Sequence, residues 1–218
     1  MSNPAISALY VHIPFCHRIC PFCSFAVRKN RPSVHRKYLE AVLLETRRRV
    51  QGITISDLES LYIGGGTPSV LSSTEIIFLM QGIRQSWPLS RDCQISLECN
   101  PEDVQSNYLG TLLSSGVNRL SIGVQSFQQE FLKNLGRNHT VEHLRMNLIA
   151  LKDVGWTNFN VDLMFGLPNQ TLEQFQFDVK KALEWDPAHL SFYALELAEQ
   201  TPYGKSKRIR KSWQDAQE

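Results

Sequence analysis

The chain has 218 residues, 42% of them hydrophobic and 20% charged, with a formal net charge of +2. That is the profile of one ordinary globular domain with a sizeable core, and the charge speaks neither for nor against a polyanionic partner. No stretch approaches about 18 uninterrupted apolar residues, and Met1 to Ala5 lacks a basic region leading into an apolar core, so no transmembrane segment or signal peptide is expected and the cytoplasm is the expected location.

In chain order, residues 8–13 read as a buried first strand that Pro14 ends. Residues 33–50 read as a helix with Tyr38, Leu39, Val42 and Leu43 on its apolar side, Arg47 to Arg49 in its last turn and Gly52 as its stop. Residues 58–63 form a second strand. After Gly64-Gly65-Gly66-Thr67-Pro68 comes a helix announced by the capping box Ser72-x-x-Glu75. A third strand spans 95–98, a helix follows near 104–113 and Gly116 ends it. The fourth strand, 118–123, precedes two helical pieces at 128–135 and 141–154, closed by Gly155. The fifth strand, 157–164, leads to a helix with the capping box Thr171-x-x-Gln174, and 190–197 is the sixth strand.

Strands and helices alternate with short connections, the signature of parallel βαβ units, and the expected fold is a partial (β/α)6 barrel over residues 1–202. Residues 203–218 combine clustered basic charge with little apolar periodicity, so a frayed, disordered tail or a truncated end is expected there, with no nucleic acid as partner.

Within Cys16-His17-Arg18-Ile19-Cys20-Pro21-Phe22-Cys23, three cysteines share one short loop after the first strand. Such crowding suits thiolates that bind metal in a reducing compartment. Two centres compete. Zinc would need His12 or His17 to complete a closed Cys3His site, whereas a four-iron cluster takes three cysteines and leaves one iron open. The Cys-x3-Cys-x2-Cys spacing is not the paired Cys-x2-Cys of zinc folds, which favours the cluster. Phe15, Phe22 and Phe25 could keep it dry. Cys93 and Cys99 read as free buried thiols.

The loop resembles that of the radical S-adenosylmethionine (SAM) enzymes. In that family the open iron of a [4Fe-4S] cluster chelates SAM, and reduction splits the sulfonium to give a 5'-deoxyadenosyl radical. More narrowly, Tyr10-Val11-His12-Ile13-Pro14-Phe15-Cys16 resembles the opening of the oxygen-independent coproporphyrinogen III oxidase family, which includes porphyrinogen dehydrogenases and the HemW heme chaperones. Leu97-Glu98-Cys99-Asn100-Pro101, Gly123-Val124-Gln125-Ser126-Phe127, Gly136-Arg137 and Val161-Asp162-Leu163-Met164-Phe165-Gly166-Leu167-Pro168 follow the family's order. The resemblance implies a cluster on Cys16, Cys20 and Cys23, with Tyr10 and Phe22 beside it. It also implies a SAM pocket from Gly64, Gly65, Gly66, Thr67, Glu98, Gln125, Arg137 and Asp162. SAM offers a carboxylate, an ammonium, ribose hydroxyls and a sulfonium, so acidic acceptors and a guanidinium are the types required.

Porphyrinogen dehydrogenases resemble Cys-x3-Cys-x2-Cys-x-Cys and carry a longer arm before the loop. Here Phe25 holds the extra cysteine's place and fifteen residues precede Cys16. Both departures favour the HemW-like branch, implied to bind heme and deliver it to apo-proteins. The alternative is an oxygen-independent coproporphyrinogen III oxidase acting on a porphyrinogen. The resemblance also implies a reductase or flavodoxin-type electron donor, and a C-terminal domain carrying a heme-binding His-Asn-x-x-Tyr-Trp motif that this sequence lacks. Heme would then belong to a full-length parent, and a truncated, non-catalytic cluster-binding fragment is a third reading.

Overall fold

The computed structural model describes residues 6–51, 55–137 and 139–215. β1 (Ile6–Ile13) runs into Pro14, and the chain then forms β2 (Phe15–Cys16) and β3 (Arg28–Lys29), two short strands that bracket the cysteine loop. α1 (Pro32–Arg49) carries proline in its first turn and three arginines in its last, as helix geometry and dipole favour. Gly52, its expected stop, lies outside the described residues.

β4 (Ile55–Gly65) leads through a 3-10 turn to α2 (Ser73–Ser86), entered by the reciprocal Ser72/Glu75 capping box. β5 (Leu89–Cys99) starts well before the expected residue 95, and a second 3-10 turn at Pro101–Asp103 delays α3 (Ser106–Ser114). β6 (Arg119–Gln125), α4 (Gln129–Asn134), α5 (Val141–Asp153) and β7 (Phe159–Phe165) follow. Gly116 and Gly155 take positive φ after α3 and α5, which lets the chain turn out of each helix. α6 (Leu172–Leu183), with its Thr171/Gln174 box, precedes β8 (His189–Ala194).

Six strands pair in parallel in the order β1-β4-β5-β6-β7-β8, so each successive unit adds at the same edge and the sheet is an open barrel segment. The register puts alternate residues on two unlike faces. One carries Val11, Ile63, Leu97, Ile122 and Val161, all buried in the main core with Leu39 of α1 and Ile76, Leu79 and Ile83 of α2. The other carries Tyr10, Tyr62, Ser96, Glu98, Ser121, Asn160, Asp162 and Ser191. β1 is therefore only half-buried, against the expectation of a buried strand: Tyr10 is 55% exposed.

The C-terminal segment also departs from expectation. α7 (Pro202–Lys205) and α8 (Lys207–Asp215) are helical, and Tyr203, Ile209 and Trp213 pack with Phe131, Leu135, Met164, Leu167 and Leu195 in a second core. Ile209 and Trp213 are four residues apart on one helix face, enough for a docking stripe in a segment otherwise basic. The Trp213 indole N–H donates to the Leu195 carbonyl at 3.1 Å.

Candidate cluster and SAM site

The cysteine loop springs from the C-terminal end of β1, where parallel α/β sheets gather ligands. Its base is a ladder: Arg28 N–H donates to Pro14 O (2.7 Å) and Asn30 N–H to Cys16 O (2.8 Å). Its tip turns on Cys23 N–H to Cys20 O at 3.1 Å, and α7 clasps it through Tyr203 N–H to Pro21 O at 3.0 Å. Cys16 is buried, and Cys20 and Cys23 are partly so. Burial pushes the Cys16 and Cys23 thiols up, so metal binding must displace their protons; at Cys16 the Thr67 hydrogen bond and the Arg137 charge act the other way.

Two sulfurs already accept polar hydrogens, Cys16 Sγ from the Thr67 hydroxyl (3.6 Å) and Cys20 Sγ from Arg137 Nη1 (3.8 Å). The Thr67 hydroxyl favours the Cys16 thiolate that a metal requires. Among the described residues no three His, Cys, Asp or Glu side chains converge closely enough for one metal ion. A four-iron cluster puts each thiolate on a different iron and tolerates wider sulfurs than a tetrahedral zinc with bonds of about 2.3 Å. Nor is a histidine at hand for zinc. His12 accepts from Tyr10 OH (3.1 Å) and donates to Ala26 O (3.0 Å), while His17 faces Asp103 at 3.4 Å.

Of the three phenylalanines expected to keep the loop dry, two point elsewhere. Phe15 packs against His35 and Tyr38, with ring centroids at 4.5 and 5.2 Å, and Phe25 is 71% exposed on the loop's outer side. Phe22 turns inward beside the second core and Tyr203.

The glycine run lies against the loop. A Cβ at Gly66 would meet Pro14 O at 2.8 Å and Cys16 Sγ at 2.9 Å, and one at Gly65, where φ is +122°, would meet His12 Nδ1 at 2.6 Å. Gly66 admits the Pro14 backbone and the Cys16 sulfur, and Gly65 the His12 ring. Their N–H groups are engaged too: Gly65 with Glu98 Oε2 (2.9 Å), Gly66 with Ile13 O (2.8 Å) and Thr67 with Phe15 O (2.8 Å). Glu98 Oε1 also accepts from Tyr62 OH (2.9 Å), and Tyr62 stacks on Tyr10 at 6.0 Å between centroids. Burial raises the Glu98 carboxyl, opposed by those two hydrogen bonds.

Arg137 joins the loop to the sheet. Beyond Cys20, its Nη2 donates to Asn100 Oδ1 (2.7 Å) and Gly123 O (3.0 Å), while its buried Nε has no partner among the described residues. A guanidinium N–H without an acceptor in a buried site is what an anionic ligand group would satisfy. Gln125, at the end of β6, takes φ +71°, uncommon for its type, and accepts from Tyr193 OH. Asp162 stands apart from the loop, accepting from Ser121 Oγ (3.1 Å) and Asn160 Nδ2 (2.6 Å), and burial raises its carboxyl. The structure thus gathers Thr67 and Arg137 at the loop and Gly64, Glu98 and Tyr62 beside them, with Asp162 further along the polar face and Tyr10 at its exposed edge. Asn100, Tyr62 and Tyr193 were not singled out from sequence. The signal for Tyr62 and Tyr193 was strand parity, and for Asn100 its place between Glu98 and Pro101.

A family profile of the radical SAM superfamily matches residues 10–182. The chain belongs to the radical SAM superfamily. This radical SAM chain is 38% identical over 198 residues to the heme chaperone HemW of Escherichia coli (strain K12), covering 90% of this chain and 52% of that one. It is 37% identical over 188 residues to the oxygen-independent coproporphyrinogen III oxidase of Salmonella typhimurium, covering 85% and 41%. Among solved structures it resembles coproporphyrinogen III oxidase (HemN) from Escherichia coli, described as a radical SAM enzyme, with TM-score 0.82, 30% identity and coverage of 98% and 51%. The expected barrel is thereby that of its family, whose cofactors are a [4Fe-4S] cluster and SAM. The chain spans about half the length of the curated relatives it matches. Among the described residues no helix is long and apolar enough to cross a membrane.

Proposed function

We propose that this chain is the cluster- and SAM-binding part of a HemW-like protein of heme metabolism acting in the cytoplasm. Cys16, Cys20 and Cys23 would hold three irons of the cluster, leaving the fourth to SAM. When bound and reduced, the cluster supplies the electron that cleaves the SAM sulfonium. The observation that carries the reading is the joining of the three-cysteine loop to the polar sheet face through Thr67 and Arg137, bonded to Cys16 and Cys20 sulfur.

The chain's residues then have distinct tasks. Arg137 Nε has a proton to donate to a carboxylate. The carbonyl oxygens of Gly64 to Gly66 are what that backbone can offer an ammonium, since the N–H groups of 65–67 are engaged. Glu98 and Asp162 supply acceptors along the face that the nucleoside would lie on, with Gln125 and Tyr10 at its borders. Heme, or a porphyrinogen, would be the ligand of the longer protein, and heme-accepting apo-proteins and a one-electron donor its partners. Phe25, where the oxidase pattern has a cysteine, and the higher identity to HemW over a longer span both favour the chaperone.

The test is anaerobic reconstitution with iron and sulfide, followed by SAM titration. About four irons per chain and SAM binding are expected. Cys16→Ala, Cys20→Ala and Cys23→Ala should each lose the cluster, and Cys93→Ala should keep it. Stoichiometric zinc without iron–sulfur absorption, or a Cys93 variant that loses its iron, would overturn the assignment.

A further inference from the structure

The 3-10 turns that follow β4 and β5, at Pro68–Val70 and Pro101–Asp103, are entered by Thr67 and Asn100. Threonine and asparagine at such entries ordinarily turn their side chains back to cap the turn's own N–H groups. Neither does so here. Asn100 Nδ2 donates instead to Thr67 Oγ1 (3.4 Å), and Asn100 Oδ1 accepts from Arg137 Nη2 (2.7 Å). The asparagine backbone is anchored as well. Its N–H donates to Ser69 Oγ (3.1 Å), whose hydroxyl donates in turn to Asp103 Oδ2 (2.6 Å), and its carbonyl accepts from Asp103 N–H (3.1 Å).

The two side chains that Asn100 grips are the two that reach cysteine sulfur, Thr67 to Cys16 and Arg137 to Cys20. The direction of each bond follows from the groups involved. A guanidinium has only donors, so Arg137 fixes the amide oxygen on its own side and leaves the NH2 to Thr67. A hydroxyl has one proton, and because the amide donates to the Thr67 oxygen, that proton is left for Cys16 sulfur. An acceptor in the place of the NH2 would draw it away. We propose that Asn100 is the positioning residue that aims both donors at the cluster's sulfurs and thereby sets its reduction potential. The inference rests on the cluster reading above and deepens it. Gaining an electron adds negative charge to the cluster, so N–H and O–H groups directed at its sulfurs favour the reduced form.

The test is a potentiometric titration of the reconstituted chain with dithionite, read from the electron paramagnetic resonance of the reduced cluster, which gains one electron with no bond formed or broken. Asn100→Ala should lower the equilibrium constant for reduction about tenfold, a shift of about 59 mV to more negative potential. Thr67→Val should shift it the same way by less, and in the double variant the two shifts should not add. Asn100→Asp keeps the side chain's shape and the acceptor for Arg137 but turns the bond to Thr67 around. It should also lower the potential, and it carries the test if Asn100→Ala fails to fold. Asn118→Ala controls for structural damage alone. It loses comparable bonds earlier along β5, from Ile95 N–H (2.8 Å) and to Cys93 O (2.8 Å), and should destabilise the chain without moving the potential. An unmoved potential in the Asn100 variants, fully additive shifts for Asn100 and Thr67, or an equal shift in the Asn118 variant overturns the proposal while the cluster reading stands. A parent chain that takes up no iron–sulfur cluster sinks that reading and this inference together.

Discussion

Arg137 has bonds to Cys20 sulfur, the Asn100 amide oxygen and the Gly123 carbonyl, and it still has one buried N–H to give. Only a planar fork reaches so many acceptors at once, and lysine cannot replace it. Arg137→Lys should therefore weaken SAM binding about tenfold, equivalent to about 1.4 kcal/mol, while iron content stays near the parent's; a SAM titration on reconstituted protein checks this. Asp162 gives a second test, of opposite character. Burial raises its folded pKa above the unfolded value, so at neutral pH its charge opposes folding, and that penalty disappears as pH falls through the raised value. Asp162→Asn should thus stabilise the SAM-free chain at neutral pH. The gain over the parent should shrink as pH is lowered toward the ordinary carboxylate range, as thermal melts across pH would record, and SAM affinity should fall.

At the scale of elements, the site depends on helices that hold its loops in place. Asp178 on α6 is fully buried and accepts from Ser126 Oγ (2.7 Å) and Phe127 N–H (2.8 Å), pinning the turn after β6 in which Gln125 adopts its positive φ. Removing that carboxylate leaves a buried N–H unpaired. Asp178→Ala should cost about 1–3 kcal/mol of stability and weaken SAM binding by loosening Gln125. Denaturant unfolding beside a SAM titration would separate the two effects, and unchanged stability would refute the pin. Tyr203 likewise ties α7 to the tip of the cysteine loop, so the C-terminal segment belongs to the site's frame.

For the whole molecule, the sheet's polar face is open. Tyr10 is 55% and Tyr193 39% exposed. A planar macrocycle needs a broad apolar cover and usually an axial ligand, and a face of Tyr, Glu, Asn, Asp and Ser offers little of the first. This chain alone should therefore neither decarboxylate coproporphyrinogen III nor hold heme tightly. An anaerobic assay with reductant and SAM, run beside a heme titration, tests both. Protoporphyrinogen IX as product would overturn the chaperone branch, and tight heme binding would overturn the inference from the uncovered face.

Much of this was written locally in the chain. Cysteine spacing, the Ser72 and Thr171 capping boxes, the glycines that end α3 and α5, and the alternation of strands with helices each depend on residues a few positions apart, and such patterns are readable without a fold. So was the membership of Glu98, Gln125, Arg137 and Asp162 in quoted motifs, though not their division of labour. Tertiary structure alone decided that Phe25 faces outward, that Ile209 and Trp213 dock α8, that Gly66 serves Cys16 sulfur, and that Asn100 holds Arg137. These contacts join residues that lie far apart along the chain and meet only once sheet register is set. Their energies depend on a geometry that no local pattern of residue types contains.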